Sequence, residues 1–325
     1  MSMARPIAPS NLPTLVKEAF VRAQASGDLS YYPTQVTILP VGSLAFQLRF
    51  APSLAEKPKP PKPVEARAKP FNPFENPSPA LLVAQLPPSH RLVLNKFAIV
   101  PEHFILVTKG FKPQTHLLEA DDVDAAYACV QAYQRASQQL YVFFNSGDAS
   151  GASQPHRHLQ LLPVERMKDG LENIEPGADW TVLADNVCGR EESVPFTVFT
   201  SRINADMSAE ERHRIYVSLY KRAVGATLTG VEGVERGESQ ISYNLAMTSN
   251  TMALCPRTAE GAPVRANDGN EIGTLSLNGT LLAGTALVKT KAEWDALRTS
   301  SEILPEVLRR IGVSPRRVFR NPGTD

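Results

Sequence analysis

The chain has 325 residues, 42% hydrophobic and 21% charged, which allows one large globular domain or two packed halves. Its formal net charge of +1 gives no electrostatic case for a nucleic-acid or membrane partner, so any phosphate recognition must be local. Three well-separated cysteines, Cys129, Cys188 and Cys255, predict a reducing compartment (the cytoplasm and, by extension, the nucleus) and no disulfide framework. No apolar run has transmembrane length, and the N-terminus lacks a basic-then-apolar secretion pattern.

In chain order, residues 11–26 read as an amphipathic helix, with Asn11 as cap and Leu12, Leu15, Ala19, Phe20 and Ala23 on one face. Gln35–Ile38 and Leu44–Phe50 read as paired strands, with Pro40 and Gly42 in the turn. Residues 51–79 are proline-rich with interspersed lysines, including Lys57 and Lys59. They read either as a solvated extended linker or as an ordered loop that carries a lysine to a phosphate. Phe71-Asn72-Pro73-Phe74 at the end of this stretch suggests docking.

His90–Val100 and His103–Thr108 predict a hairpin, and the wholly apolar Phe104-Ile105-Leu106-Val107 predicts a strand covered on both faces. A helix is expected over 116–139, followed by a buried strand at Tyr141–Phe144. Residues 165–194 read as irregular and Pro195–Thr200 as a strand. Ser208–Thr227 reads as a helix with a Ser208/Glu211 capping box, and 229–240 as a loop. A hairpin is expected at Ser242–Thr248 and Met252–Pro256, then a strand at Leu281–Lys289 and helices at Lys291–Arg298 and Glu302–Ile311. A weak echo between Asn95–Lys109 and Asn244–Arg257 suggests two related halves, 1–175 and 176–325, or reflects only the likeness of hairpins.

The chemistry concentrates at 145–164. A small-residue polar loop leads into His156-Arg157-His158-Leu159-Gln160. Strand alternation puts His156, His158 and Gln160 on one face and Arg157, Leu159 and Leu161 on the other. A neutral, oriented imidazole can attack phosphorus, and the carbonyl of His156 can fix the tautomer of His158. Gln160 can donate to a phosphate oxygen but supplies no proton at neutral pH. That suits a polyphosphate leaving group, which departs as a stable anion, better than an alcohol or amine. Glycines and serines of 146–154 can cradle phosphate through N–H groups and hydroxyls. No Gly-Lys-Ser/Thr follows, which excludes a Walker loop, and no third ligand has zinc-site spacing. The competing reading of the two histidines is an ordinary polar pair on a strand surface.

The run Gly151-Ala152-Ser153-Gln154-Pro155-His156-Arg157-His158-Leu159-Gln160 resembles the fungal diadenosine tetraphosphate phosphorylases. These belong to the histidine-triad superfamily, in the branch near galactose-1-phosphate uridylyltransferase, where Gln replaces a third His. Leu94-Asn95-Lys96-Phe97, Pro101–Thr108, Phe111-Lys112-Pro113-Gln114, Ser242-Tyr243-Asn244-Leu245 and Pro256-Arg257 carry the resemblance across most of the chain. It implies an α+β fold of two related halves, with antiparallel sheet and flanking helices, the second half completing the substrate site. It also implies a nucleotidyltransferase that converts diadenosine tetraphosphate and phosphate into ATP and ADP. His158 would attack the α-phosphorus, and Gln160 would steady that phosphate.

By the same resemblance, Asn145, Gly151, Ala152, Ser153 and Gln154 would hold phosphate and ribose, and Leu94 and Asn95 would lie near adenosine. Lys57, or its neighbour Lys59, would neutralise polyphosphate. Asn278, Gly279, Thr280 and Lys289 would close over the far phosphates or nucleoside, with Thr285 where the family carries a larger side chain. A polar insertion at 258–274 looks atypical. Magnesium or manganese is expected with the polyphosphate, without a protein cage. A monomer or weak homo-oligomer is expected. The alternatives are a sugar-phosphate uridylyltransferase, a dinucleoside polyphosphate hydrolase, or a nucleotide-binding module without turnover.

Overall fold

A computed structural model describes residues 5–54, 72–171, 179–266 and 269–315. Helix α1 (Leu12–Ala25) buries Leu12, Val16, Ala19, Phe20 and Ala23, and Asn11 makes no side-chain cap bond. Strand β1 (Ser30–Tyr31) is short, and β2 (Gln35–Val41) pairs antiparallel with β3 (Leu44–Phe50). Pro40 therefore lies within β2 rather than in the turn, and Gly42 (φ +60°) makes the reversal. Next come β4 (Leu82–Leu86), β5 (His90–Leu94), β6 (Phe97–Ala98) and β7 (Phe104–Thr108). β5 and β7 form the expected antiparallel pair, while β6 leaves it to pair parallel with β1.

Helix α2 (Ala120–Arg135) is shorter than expected, because a Glu119/Asp122 capping box sets its start. β8 (Leu140–Ser146) follows, then β9 (His158–Pro163). Two short helices, α3 (Val164–Met167) and α4 (Leu183–Val187), occupy part of the stretch expected to be irregular. β10 (Phe199–Arg202) starts later than expected, and α5 (Ala209–Thr227) has the Ser208/Glu211 capping box. β11 (Ser242–Met247) and β12 (Thr251–Arg257) form the second hairpin.

The 258–274 region contributes to a hairpin of its own, β13 (Gly261–Arg265) with β14 (Glu271–Ser276). The strand expected from Leu281 begins only at β15 (Thr285–Val288). Residues Gly279–Ala283 form a 3-10 turn, opened by Asn278 Oδ1 accepting from the Thr280 N–H and closed by Gly284 at φ +74°. α6 (Lys291–Thr299) and α7 (Ile303–Ile311) end the described chain.

The fold is α+β. Its main sheet has eight strands in the order β10-β12-β11-β8-β9-β7-β5-β4, with antiparallel neighbours throughout. Strands from both ends of the chain thus share one sheet, joined at β8 and β11. Leu92, Leu94, Phe104, Leu106, Leu159 and Leu161 form one core cluster with α1, α2 and α5 residues such as Val16, Val130 and Tyr220. Tyr141, Phe143, Leu162, Ala246 and Cys255 cluster instead with Trp180, Leu281, Leu297 and Leu308. Alternation along β8 and β9 therefore supplies side chains to two different cores, as a sheet covered on both faces requires.

Candidate active site

The site lies on the sheet face away from α1 and α2. Leu159 and Leu161 enter the helix-side core, so His158 and Gln160 project from the other face of β9. Just before His158, Arg157 turns back toward α2 and donates to Asp122 Oδ2 at 2.6 Å. Burial pushes the Asp122 carboxyl up, but its bond to His90 and the Arg157 charge outweigh this and hold it low. This buried ion pair anchors the backbone of the motif from beneath. β9 begins at His158; His156 precedes it in an isolated bridge to Pro113.

The Nδ1–H of His158 donates to the carbonyl of His156 at 2.8 Å, leaving Nε2 as the basic nitrogen. Nε2 has no hydrogen-bond partner among the described residues. The Gln114 amide grips the same residue through its backbone: Oε1 accepts from His158 N–H (2.8 Å), and Nε2 donates to the carbonyls of Asn145 (2.8 Å) and His158 (3.2 Å). The ring is 3% exposed and lies beneath Phe74, with ring centroids 5.0 Å apart. Burial pushes its pKa down to about 4, so the imidazole is neutral near pH 7.

His156 has a different environment. Its Nδ1 accepts from the Asn72 amide (2.9 Å), and its Nε2 donates to the Thr108 carbonyl (2.9 Å). Phe74 and Phe111 pack against its ring edge-on. With both ring nitrogens engaged by protein, His156 can take part through its carbonyl and by bracing the loop, but its ring offers no free base. Burial lowers its pKa as well.

Gln160 Oε1 accepts from Nε2 of His103 at 2.6 Å. His103 Nδ1 in turn accepts from Asn95 Nδ2 (3.1 Å), and Asn95 Oδ1 accepts from the Phe97 N–H (3.0 Å). Burial pushes the His103 pKa down to about 4. Sequence reasoning missed His103 as a site residue. The available signal was its place two residues before Ile105, the β7 partner of Gln160, which puts it on the same sheet face.

Gln160, Asn95, His103 and Ser153 line a cleft of about 380 Å³. Asn278, Thr280, Thr285 and Lys289 line it from the C-terminal elements, and Asn278, Thr280 and Lys289 also line an adjoining hollow that reaches Gly151. Lys289 has no ion-pair partner among the described residues. Asn145 sits at the junction of the halves, where its Oδ1 accepts from Asn244 Nδ2 (2.9 Å) and from the Gly279 N–H (2.8 Å). Arg257 is buried and donates to Asn244 Oδ1 and to the Leu277 carbonyl (3.0 Å), which holds that junction together.

Several expected residues differ in placement. Leu94 packs in the helix-side core with its side chain facing away from the cleft, because alternation along β5 separates it from Asn95. Thr285 is buried, and its hydroxyl donates to Gln47 Oε1 at 3.4 Å. Ala152 is exposed and Gln154 half-buried on the loop before the motif. The cradle expected from 146–154 is narrower than predicted. Ser146 and Ser150 are buried, and Ser150 Oγ and N–H both donate to the Gly147 carbonyl. Of the loop's serines only Ser153 lines the cleft. Gly147 (φ +84°) and Gly151 (φ +77°) let the loop lie flat: a Cβ at Gly147 would meet Ser242 Oγ at 2.3 Å, and one at Gly151 would meet Asn278 Cβ at 2.8 Å.

Lys57 and Lys59 lie outside the described residues. Among the described residues no group of three or more His, Cys, Asp or Glu is arranged to hold a metal ion, and no helix is long and apolar enough to cross a membrane.

A family model described as the ATP adenylyltransferase C-terminal domain matches residues 192–314. With the strand-borne His-x-His-x-Gln site, this makes the chain a nucleotidyltransferase. A second model, the Ap4A phosphorylase N-terminal domain, matches residues 2–175, more than half of the chain, and the chain belongs to the Ap4A (diadenosine tetraphosphate) phosphorylase family. Diadenosine 5',5'''-P1,P4-tetraphosphate phosphorylase 2 of Saccharomyces cerevisiae is 29% identical over 93% of this chain and 94% of its own length. Protein APA1 of the same yeast is 27% identical over 94% and 95%. The crystal structure of the yeast Ap4A phosphorylase Apa2 superposes with a TM-score of 0.72 at 27% identity, covering 96% of each chain. The structure of that protein in complex with Ap4A gives 0.72 at 25% identity, covering 96% of this chain and 99% of the other.

Proposed function

We infer that this chain catalyses the phosphorolysis of diadenosine tetraphosphate by inorganic phosphate to ATP and ADP, through an adenylyl-histidine. The observation that carries the mechanism is the state of His158: neutral, Nδ1–H held by the His156 carbonyl, Nε2 unengaged among the described residues. Nε2 attacks the α-phosphorus, an N–P bond forms, and the bond to the bridging oxygen breaks. ATP departs as an anion and needs no proton from the protein, consistent with a glutamine rather than an acid at position 160. The ring gains positive charge as it is adenylylated, and the His156 carbonyl stabilises that charge through Nδ1–H. The oxygen of inorganic phosphate then attacks the same phosphorus, the N–P bond breaks, and ADP leaves with His158 restored.

The Gln160 amide donates to the α-phosphate in both steps. Lys289, together with Lys57 or Lys59, lowers the cost of gathering the polyphosphate charge, and magnesium or manganese enters as its counter-ion. Asn278 and Thr280 hold the far end of the substrate in the adjoining hollow. We further propose a cytoplasmic enzyme acting as a monomer or weak homo-oligomer; the free cysteines Cys129, Cys188 and Cys255 are in keeping with a reducing compartment.

Product analysis with and without phosphate tests the reading. With phosphate, ATP and ADP form in equal amounts; without it, the reaction stops after one ATP per active site. Continued release of AMP without phosphate would identify a hydrolase. His158→Ala is expected to abolish ATP formation, and near-normal turnover by this variant would remove His158 as the nucleophile. Radiolabelled adenylate retained on the intact wild-type protein tests the covalent step.

A further inference from the structure

We propose that His103 is a positioning residue that fixes which end of the Gln160 amide faces the reacting phosphate. This rests on the phosphorolysis reading above and adds to it a residue that acts through Gln160.

One group in this chain of contacts has an unambiguous role. The backbone N–H of Phe97 can only donate, and it donates to Asn95 Oδ1 at 3.0 Å. The other end of the Asn95 side chain must then be its NH₂, which lies 3.1 Å from His103 Nδ1. That nitrogen is therefore an acceptor, and a neutral imidazole accepting at Nδ1 carries its proton on Nε2. Nε2 lies 2.6 Å from Gln160 Oε1, so the carbonyl end of Gln160 is committed to His103. Its NH₂ end has no partner among the described residues, on a side chain that lines the cleft. The polarity of one peptide N–H is thus passed through two side chains to the amide that meets the phosphate.

The alternative orientation would turn the Gln160 carbonyl oxygen toward an anion and set two donors against each other at His103. Burial of His103, which keeps the ring neutral, protects the arrangement: a protonated ring would donate at both nitrogens and repel the Asn95 amide. A glutamine side chain without this bond rotates freely between its two orientations, and only one of them serves the reaction.

The test compares three variants by steady-state phosphorolysis of diadenosine tetraphosphate, after the wild type has been shown to form ATP and ADP. Gln160→Ala removes the donor and is expected to lower kcat by roughly 100-fold, the scale of losing one transition-state donor. His103→Phe keeps a ring of similar size but cannot donate; it is expected to lower kcat roughly tenfold with little change in KM. The double variant is expected to match Gln160→Ala alone, because His103 acts only through Gln160. A double variant that falls below Gln160→Ala by the full His103→Phe factor would overturn the proposal.

A second readout needs no turnover. In the substrate-free wild type, nitrogen-15 NMR of the histidine rings should show His103 as the neutral Nε2–H tautomer, with its signal assigned by its absence in His103→Phe. The Nδ1–H tautomer, or a charged ring at pH 7, would sink the relay even if phosphorolysis proceeds. A wild type with the predicted tautomer but no phosphorolysis would instead count against the functional reading alone.

Discussion

Gln114 and His158 are joined side chain to backbone on both sides of one residue, with the Gln114 amide accepting the His158 N–H and donating to the His158 carbonyl. Edge groups at the start of a strand are ordinarily left to neighbouring strands or water. Here a single buried side chain satisfies them and ties them to the Asn145 carbonyl as well. Gln114→Ala leaves a buried N–H and two carbonyls without these bonds. It should cost about 1–3 kcal/mol of stability, and kcat/KM should fall more than that of an equally destabilised variant remote from the site. Chemical denaturation paired with kinetics checks both parts.

His158 and His103 are both held at a pKa of about 4, below the ordinary 6.5, by burial. Above pH 6.5 neither folded nor unfolded chain protonates them, and the folding free energy is unaffected. Between 6.5 and 4 the unfolded chain binds protons that the folded chain refuses, so stability should fall as pH falls. The maximum loss is on the order of 3 kcal/mol for each histidine. Urea titrations across that range should show it, and His103→Phe should reduce the slope. In brief assays under native conditions, the acidic limb of kcat/KM due to His158 should lie nearer pH 4 than 6.5.

Gly279 meets the first half of the chain with no room to spare. A Cβ there would lie 2.5 Å from Phe143 Cδ2 and 2.9 Å from Asn145 Oδ1, and its N–H donates to that same oxygen. Gly279→Ala should destabilise by about 1–3 kcal/mol through overpacking and should displace Asn145. Thermal melting reads the first effect, and a rise in KM for diadenosine tetraphosphate reads the second.

Lys289 lines both the cleft and the adjoining hollow without a carboxylate partner among the described residues. Lys289→Ala should raise KM for the dinucleotide roughly tenfold, the scale of a charge-assisted contact. It should also weaken the dependence of KM on ionic strength. An unchanged KM and salt response would place the polyphosphate elsewhere.

Much of the architecture was legible because it follows local rules. Period-2 alternation predicted that Leu159 and Leu161 would face opposite His158 and Gln160, and the Ser208/Glu211 pattern marked the start of α5. What escaped was non-local. Gln160 and His103 lie 57 residues apart and meet only because β7 and β9 pair in one register. The same alternation, applied to β5, sends Leu94 into the core, against the adenosine-side placement that the resemblance implies. The second half of the 3-10 turn, from Leu281 to Ala283, lies in an apolar run that reads as strand. Its cause is the Asn278 cap and the left-handed Gly284, which flank the turn on either side.

The seam between β8 and β11 has a consequence for dividing this chain. β8 lies between β9 and β11, every residue from Leu140 to Ser146 is buried, and Asn145 pairs directly with Asn244 across the seam. An N-terminal piece ending near residue 175 would present that strand, with Val142, Phe143 and Phe144, as a naked edge. Such edges recruit other chains. Produced separately, the two segments would face a choice between finding each other and self-associating.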